Sequence, residues 1–215
     1  MKKIMISGIL ILATTGMFIM KDQGIPLEMN KNTKSNIMLV NKNNSLPDGY
    51  VPKDLVKPNI KFIDSSTEEE KQLNATVANA IEDLFSKAKE EGIIFLGTSA
   101  YRSYETQKEV YQSRVKSQGI IKANQYVAKP GTSEHQTGLC IDLTNKDRWF
   151  VEATKEATWL KENAHEFGFI IRYPKSKEAI TQKEYEPWHI RYVGKDIASD
   201  IYNNNLTLEE YSQEK

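Results

Sequence analysis

The stretch Ser133-Glu134-His135-Gln136-Thr137-Gly138-Leu139-Cys140-Ile141-Asp142 carries the reading of this chain. From Leu139 to Leu143 it becomes a short apolar run, which predicts a strand, and a carboxylate on such a strand is costly unless a cation or hydrogen bonds meet it. Far downstream, Glu186-Pro187-Trp188-His189 supplies a second histidine and a second carboxylate. The chain has 3 histidines, and two of them fall in these two segments. That is the inventory of a catalytic zinc site, in which three protein ligands leave the fourth position open and a carboxylate that is not a ligand takes up the proton of water. We assign His135, Asp142 and His189 as ligands of one Zn2+ and Glu186 as the base. A single histidine would default to a structural role, Asp142 by itself to a turn or cap, and Glu186 by itself to a surface pair with Lys183. Their joint arrival meets both the ligand and the base requirement of metal-assisted hydrolysis.

Working outward, Ser65-Ser66-Thr67 with Glu68, Glu69 and Glu70 reads as a helix start, and Leu73, Val77, Ile81, Leu84 and Ala88 form one stripe that Gly92 ends. Ile93 to Thr98 predicts a strand that delivers Tyr101-Arg102-Ser103 to its end. Ser103 caps a second helix with Val110, Tyr111 and Val115 inward, ending near Gly119. A third helix is expected from about Thr154 to Phe167, and strands at Phe169 to Arg172 and Ile190 to Val193. His165 falls mid-helix among Glu162, Asn163 and Glu166, a solvated setting. Without regular βαβ alternation, this order predicts an α+β fold: one compact domain with helices packed on a small, mainly antiparallel sheet.

At 215 residues the chain suffices for one ordinary core. We expect three segments: 1–21 as signal peptide or membrane anchor, 22–61 as a tether and irregular N-terminal wrap in which Leu39-Val40 and Tyr50-Val51 dock, and 62–215 as the catalytic domain. Met1-Lys2-Lys3 precedes an uncharged run from Ile4 to Met20 that stops at Lys21-Asp22, an export signal at the lower edge of spanning length. Export to the outer face of the cell membrane or the wall follows, with membrane contact through this segment only; cleavage stays open. The formal charge is zero, with 29 basic and 29 acidic residues, and nothing suggests a nucleic-acid groove. The single cysteine excludes an intramolecular disulfide. A monomer is expected.

Together with Ser99-Ala100-Tyr101-Arg102-Ser103-Tyr104-Glu105-Thr106-Gln107, these segments resemble the VanY-type D-alanyl-D-alanine carboxypeptidases, zinc peptidases that trim bacterial peptidoglycan stem peptides and have related L,D-carboxypeptidases. The family pattern, Ser-x-His-x-x-Gly-x-x-x-Asp followed by Glu-x-Trp-His, is met at Ser133, His135, Gly138, Asp142, Glu186, Trp188 and His189, and the likeness runs from about Leu39 to about Tyr202. Cys140 departs from it, since relatives usually carry alanine there. Lying on the same strand face as Asp142, its thiol is either a further metal contact or a small buried hydrophobe.

The resemblance implies removal of a C-terminal D-alanine, with Arg102, Gln107 and Ser133 orienting the stem peptide. A cation at a helix start is placed against the macrodipole, which suits Arg102 to a task, and arginine grips a carboxylate in a planar, bidentate manner. Which of the three reads the terminal carboxylate stays open. Tyr101, Ser103 and Tyr192 divide evenly between substrate contact and packing, while Trp188 is expected to pack behind the site. Two rivals remain: an L,D-carboxypeptidase acting on tetrapeptide stems, and a catalytically silent wall-binding module with a structural zinc. Endopeptidases and dipeptidases of the stem use the same zinc centre.

Overall fold

The computed structural model describes residues 37–213. The expected segment 1–21 and the first part of the tether lie outside these residues. The chain from 37 onward lies against the fold: Val40 and Leu46 are buried, and Leu39 packs on a small cluster around Ile170, Ala198, Ile201 and Leu208. Val51, expected to dock, is instead 68% exposed.

The central sheet has four strands in the order β3-β4-β6-β5, all neighbours antiparallel: β3 Leu96–Ser99, β4 Cys140–Thr144, β5 Phe169–Ile171 and β6 His189–Tyr192. A separate two-stranded ribbon joins β1 Leu55–Val56 to β2 Leu73–Asn74. Helix α1, Ala75–Glu90, buries Val77, Ala78, Ile81, Leu84 and Ala88 in the main core, with Ile141, Leu143, Leu160, Phe169 and Ile190. These α1 positions recur at helical spacing, which presents one apolar stripe to the core. The α+β expectation holds.

The start of α1 differs from the sequence reading. Thr67 and Glu70 do form the reciprocal hydrogen bonds of a capping box, Thr67 N donating to Glu70 Oε2 at 3.0 Å and Glu70 N to Thr67 Oγ1 at 3.2 Å, but this box closes only a turn. Leu73 and Asn74 stay extended because they pair with Val56 and Leu55, and the buried Leu73 side chain is held there. Asn74 then caps the helix, its side chain accepting from Thr76 N at 3.0 Å, an interaction worth about 1 kcal/mol.

Helix α2, Tyr104–Gln118, starts at Ser103 as expected and stops at Gly119, followed by an unanticipated short helix α3, Ile120–Tyr126. Val110, Tyr111 and Val115 are only half-buried, and the fully buried side chain of α2 is Gln107. Helix α2 pairs with α3 and overhangs the site, so its sequence has little reason to show a core stripe. The expected third helix is split into α4, Lys155–Asn163, and a 3-10 turn, Ala164–Phe167. His165 sits in that turn, half-buried and stacked on Tyr202 with centroids 3.8 Å apart, rather than fully solvated. Short helices α5, Glu178–Thr181, α6, Lys195–Asn203, and α7, Leu208–Gln213, complete the fold.

Candidate metal centre

Asp142 and His189 face one another directly across the β4–β6 pairing, and Ser99 lies opposite Asp142 on the other side. Opposed residues in an antiparallel pair point to the same face with Cβ atoms about 4.5–5.5 Å apart, so register alone brings the carboxylate to the imidazole. His135 arrives from a 3-10 turn, Glu134–Thr137, that ends at Gly138 in the left-handed region, φ 68°. A side chain at Gly138 would also meet Leu55 Cδ2 at 2.8 Å. The turn is pinned to the start of α2 by Arg102 N donating to His135 O at 3.1 Å.

The hydrogen bonds settle which nitrogen of His135 is free. His135 Nδ1 lies 2.6 Å from the carbonyl oxygen of Ala100, which can only accept, so Nδ1 carries the proton and the Nε2 lone pair faces Asp142 Oδ2 at 3.4 Å. His189 Nε2 faces Glu134 Oε2 at 3.5 Å, and its Nδ1 lies 2.8 Å from Asp142 Oδ1. Two acceptor atoms that close need a proton or a metal cation between them. Ligands about 2.0–2.2 Å from one zinc ion stand roughly 3–3.5 Å apart in a tetrahedral arrangement; the His135–Asp142 spacing of 3.4 Å falls in that range and the His189–Asp142 spacing of 2.8 Å is somewhat shorter. Burial opposes the Asp142 charge, yet the two histidines hold its carboxyl well below the usual range. Burial and Arg102 likewise oppose a charged His135, but Cys140 and Asp142 keep it up at about 9. A site that draws protons this strongly offers the negative environment a dication requires.

Cys140 is the second candidate donor near the imidazoles: its Sγ and one nitrogen of each of His135 and His189 lie within 4.8 Å of one another. Burial raises its thiol, and the two histidines bring it down to about 7. It is fully buried, whereas the Asp142 side chain is 18% exposed. The 430 Å³ cavity in front of the site is lined by His135, Asp142 and His189 but not by Cys140. Asp142 therefore presents its oxygens toward the open side, and the thiol sits behind.

Glu186 reaches the same wall through a turn in which His189 N donates to Glu186 O at 3.3 Å, with Pro187 at the second position. Its Oε2 is 4.0 Å from His189 Nδ1. Burial pushes its carboxyl up to about 7, Asp142 adding to the rise while His189 and Lys183 oppose it. A carboxyl titrating there can take and return a proton near neutrality. Trp188 packs against the main core and also lines the cavity, so it does more than back the site.

Arg102, Gln107 and Ser133 are brought together as expected. Gln107 Oε1 accepts from Arg102 Nη1 at 3.0 Å and from Ser133 Oγ at 3.1 Å, while its amide nitrogen donates to Ala128 O at 2.7 Å. Gln107 and Ser133 are buried, so this chain fixes the guanidinium, whose Nη2 stands 3.8 Å from Asp142 Oδ2. Ser103 caps α2 and Tyr192 packs edge-on against Phe169, which accounts for both by structure.

The sequence reading passed over Glu134. Its side chain has no solvent exposure; Oε1 accepts from Arg172 Nε and Arg191 Nη1, each at 2.7 Å. Oε2 is left for His189 Nε2, and neither atom has another partner. A carboxylate behind a ligand imidazole fixes its tautomer and raises its basicity. Arg172 continues to Glu209 on α7 through two bonds of 2.8 and 2.7 Å, and Arg191 Nη2 donates to Met38 O. The available signal was Arg191 inside an apolar strand and Arg172 directly after one, where each requires a buried acid.

Residues 70–195 match the VanY family, described as D-alanyl-D-alanine carboxypeptidase. The chain belongs to that family. The Bacillus subtilis protein YodJ is 44% identical over 190 residues, covering 86% of this chain and 70% of its own length. Among solved structures, the LdcB LD-carboxypeptidase matches with a TM-score of 0.76 at 44% identity, over 84% of this chain and 87% of its own. The vancomycin-resistance D,D-pentapeptidase VanY, solved with Zn(II) as a point mutant, matches with a TM-score of 0.69 at 35% identity, over 81% of this chain and 97% of its own. This chain is a zinc-dependent carboxypeptidase, and the resemblance read from its motifs holds.

Proposed function

We propose that this enzyme removes the C-terminal D-alanine of peptidoglycan stem peptides, with His135, Asp142 and His189 holding one zinc ion and Glu186 as general base. The observation that carries the assignment is the convergence of His135 Nε2, His189 Nδ1 and both Asp142 oxygens on one wall of a cavity that Glu186 also lines. Zinc, when bound, polarises the scissile carbonyl and acidifies water. Glu186, held near neutrality, accepts the proton and returns it to the leaving amine. Arg102, braced by Gln107 and Ser133, grips the free carboxylate of the departing residue with its remaining donors. An intact base beside three ligands disfavours a purely structural zinc, which would be closed by four.

The likeness to LdcB favours a second reading, L,D-cleavage of tetrapeptide stems. Mass spectrometry of products from matched pentapeptide and tetrapeptide muropeptides separates them: D-alanine released from the pentapeptide alone supports D,D-specificity, and release from the tetrapeptide alone replaces it with L,D. Amidating the substrate C-terminus lowers kcat/KM at least about thirtyfold if Arg102 grips it, the loss expected for a desolvated charge pair.

The enzyme is exported and held at the outer membrane face by its N-terminal segment as a monomer in this reading, which rests on the lysine-flanked run from Ile4 to Met20. Among the described residues no helix is long and apolar enough to cross a membrane. Fractionation of cells before and after removal of residues 1–21 tests the anchor; unchanged membrane association would overturn it, and sedimentation of the soluble form tests the monomer.

A further inference from the structure

The wall beyond the metal ligands carries charge of one sign. The zinc cavity shares Val127, Ala128, Tyr173 and Lys183 with a second cavity of 400 Å³, so the two adjoin. Charged residues of the second cavity are Lys42, Lys129 and Lys183, and its lining has no carboxylate. Arg114 and Lys122 add two more cations to the first. None of these five makes an ion pair among the described residues, whereas Lys57 and Lys71 meet Glu68 and Lys177 meets Glu210; what distinguishes the five is that they line adjoining cavities.

Lys183 is the centre of this arrangement. It lines both cavities, and its ammonium donates one hydrogen bond, to Asn124 O at 3.3 Å. Burial lowers its pKa to about 8, with Glu186 pulling the other way. A half-buried cation with one hydrogen bond and no ion pair loses hydration that the protein restores only in part. An anion carried in by the substrate would restore it.

We propose that the adjoining cavity is a carboxylate subsite, in which Lys183, with Lys42 and Lys129 around it, receives a free carboxylate that the stem peptide carries upstream of the scissile bond. The subsite rests on the D-alanine carboxypeptidase reading and narrows it to acidic stems. Two carboxylates have the right chemistry: one on the side chain of the diamino acid upstream of the terminal D-alanine residues, and the α-carboxylate of an isoglutamate one residue before it. Extended peptide advances about 3.3–3.6 Å per residue, so each would lie at a different depth from the zinc.

The test compares synthetic stem peptides with identical D-alanine ends. One set carries diaminopimelate, amidated diaminopimelate or lysine at the diamino-acid position; another carries isoglutamate or isoglutamine before it. Wild type is expected to prefer one free carboxylate at least about tenfold in kcat/KM, mainly through KM, and to lose part of that preference in salt. The set that shows the preference identifies the carboxylate. Lys183→Met should collapse the ratio between acidic and neutral peptides, and Lys42→Gln should reduce it less. Equal efficiencies within each set, or a Lys183→Met loss shared by all peptides, would overturn the subsite. Anisotropy of labelled peptides bound to the Glu186→Gln enzyme reads the same preference without turnover. No cleavage of any peptide by zinc-loaded wild type would overturn the broader reading instead, whereas equal cleavage of all of them removes only the subsite.

Discussion

Two clusters of charge meet at His189, and they are built on opposite terms. Behind its ring, Glu134 and Glu209 are matched by Arg172 and Arg191, two against two, in a group sealed from solvent. In front, Asp142 and the spare Glu186 face two imidazoles and the edge of Arg102, on a wall open to a 430 Å³ cavity. The closed cluster is complete without any visitor. The open one has donor atoms aimed at one another, which is stable only with a proton or a dication among them. A set of polar groups becomes a ligand site by being left incomplete on one side while its other side is completed elsewhere.

The largest effect comes from emptying the open cluster. His135→Ala and His189→Ala should each abolish zinc retention and reduce peptide hydrolysis to background, measured by metal analysis after dialysis and by D-alanine release. His165→Ala, on the stacked pair with Tyr202, should change neither. Full zinc occupancy in both ligand variants would break the comparison at its base.

Next in size is Glu186→Gln, which keeps the shape and removes the proton acceptor. Turnover at saturating zinc should fall about 10²–10⁴-fold, and a loss under roughly tenfold would remove Glu186 from the base role. The pH dependence follows from its raised carboxyl. Without metal it titrates near 7, and a bound dication favours the ionised form, so the acid limb of kcat/KM should have its midpoint below about 7. The sign for stability is the reverse: because the folded carboxyl holds its proton more tightly than the unfolded one, zinc-free enzyme loses stability through this group as pH rises from about 4.5 to about 7. Glu186→Gln should abolish that slope, as read by urea unfolding at several pH values.

The closed cluster predicts stability losses first. Arg172→Met leaves Glu134 and Glu209 with a cation fewer and should cost about 3–5 kcal/mol, the typical result of halving a buried ion pair. Glu134→Gln is subtler. Its amide can still meet an arginine through the oxygen, but an NH2 turned to His189 Nε2 favours the proton on Nδ1, the nitrogen assigned to zinc. Zinc affinity, by chelator competition, should fall about 10–100-fold, and nitrogen NMR of zinc-free protein should report the switched tautomer. Unchanged zinc affinity in a folded Glu134→Gln would reduce Glu134 to structural support.

How much could be read beforehand follows the same division. The proposed ligands His135, Asp142 and His189 and the proposed base Glu186 came from the residue types zinc chemistry demands, and Arg102, Gln107 and Ser133 from the family motif; the fold brings each group together. Glu134 stood inside the quoted stretch and was missed: its partners Arg172, Arg191 and Glu209 come from distant segments, and only the folded chain closes their charges. The α1 stripe was legible from its spacing, its start was not, because pairing of Leu73 and Asn74 with Val56 and Leu55 overrides a local capping box. Helix α3 and the exposed face of α2 escaped because neither contributes a stripe to the main core.

The smallest predicted effect concerns Cys140, the residue where the two clusters come nearest to overlapping. Its thiol lies near both histidines, yet it stands behind them and off the cavity lining, while Asp142 Oδ1 and Oδ2 take positions 2.8 and 3.4 Å from His189 Nδ1 and His135 Nε2. Three ligands including Asp142 leave the open side free, whereas a fourth from sulfur would close the metal and stop turnover. Cys140→Ala should therefore cost only about 1 kcal/mol, the price of a small buried void, and leave zinc content and kcat/KM within about twofold. Cobalt exchanged for zinc gives the sharper reading, because a thiolate ligand adds a sulfur-to-metal charge-transfer band in the near ultraviolet. No such band is expected in the wild type. A band that disappears in Cys140→Ala would place sulfur on the metal, displace Asp142 from the ligand set, and move the boundary between the open and closed clusters two residues along β4.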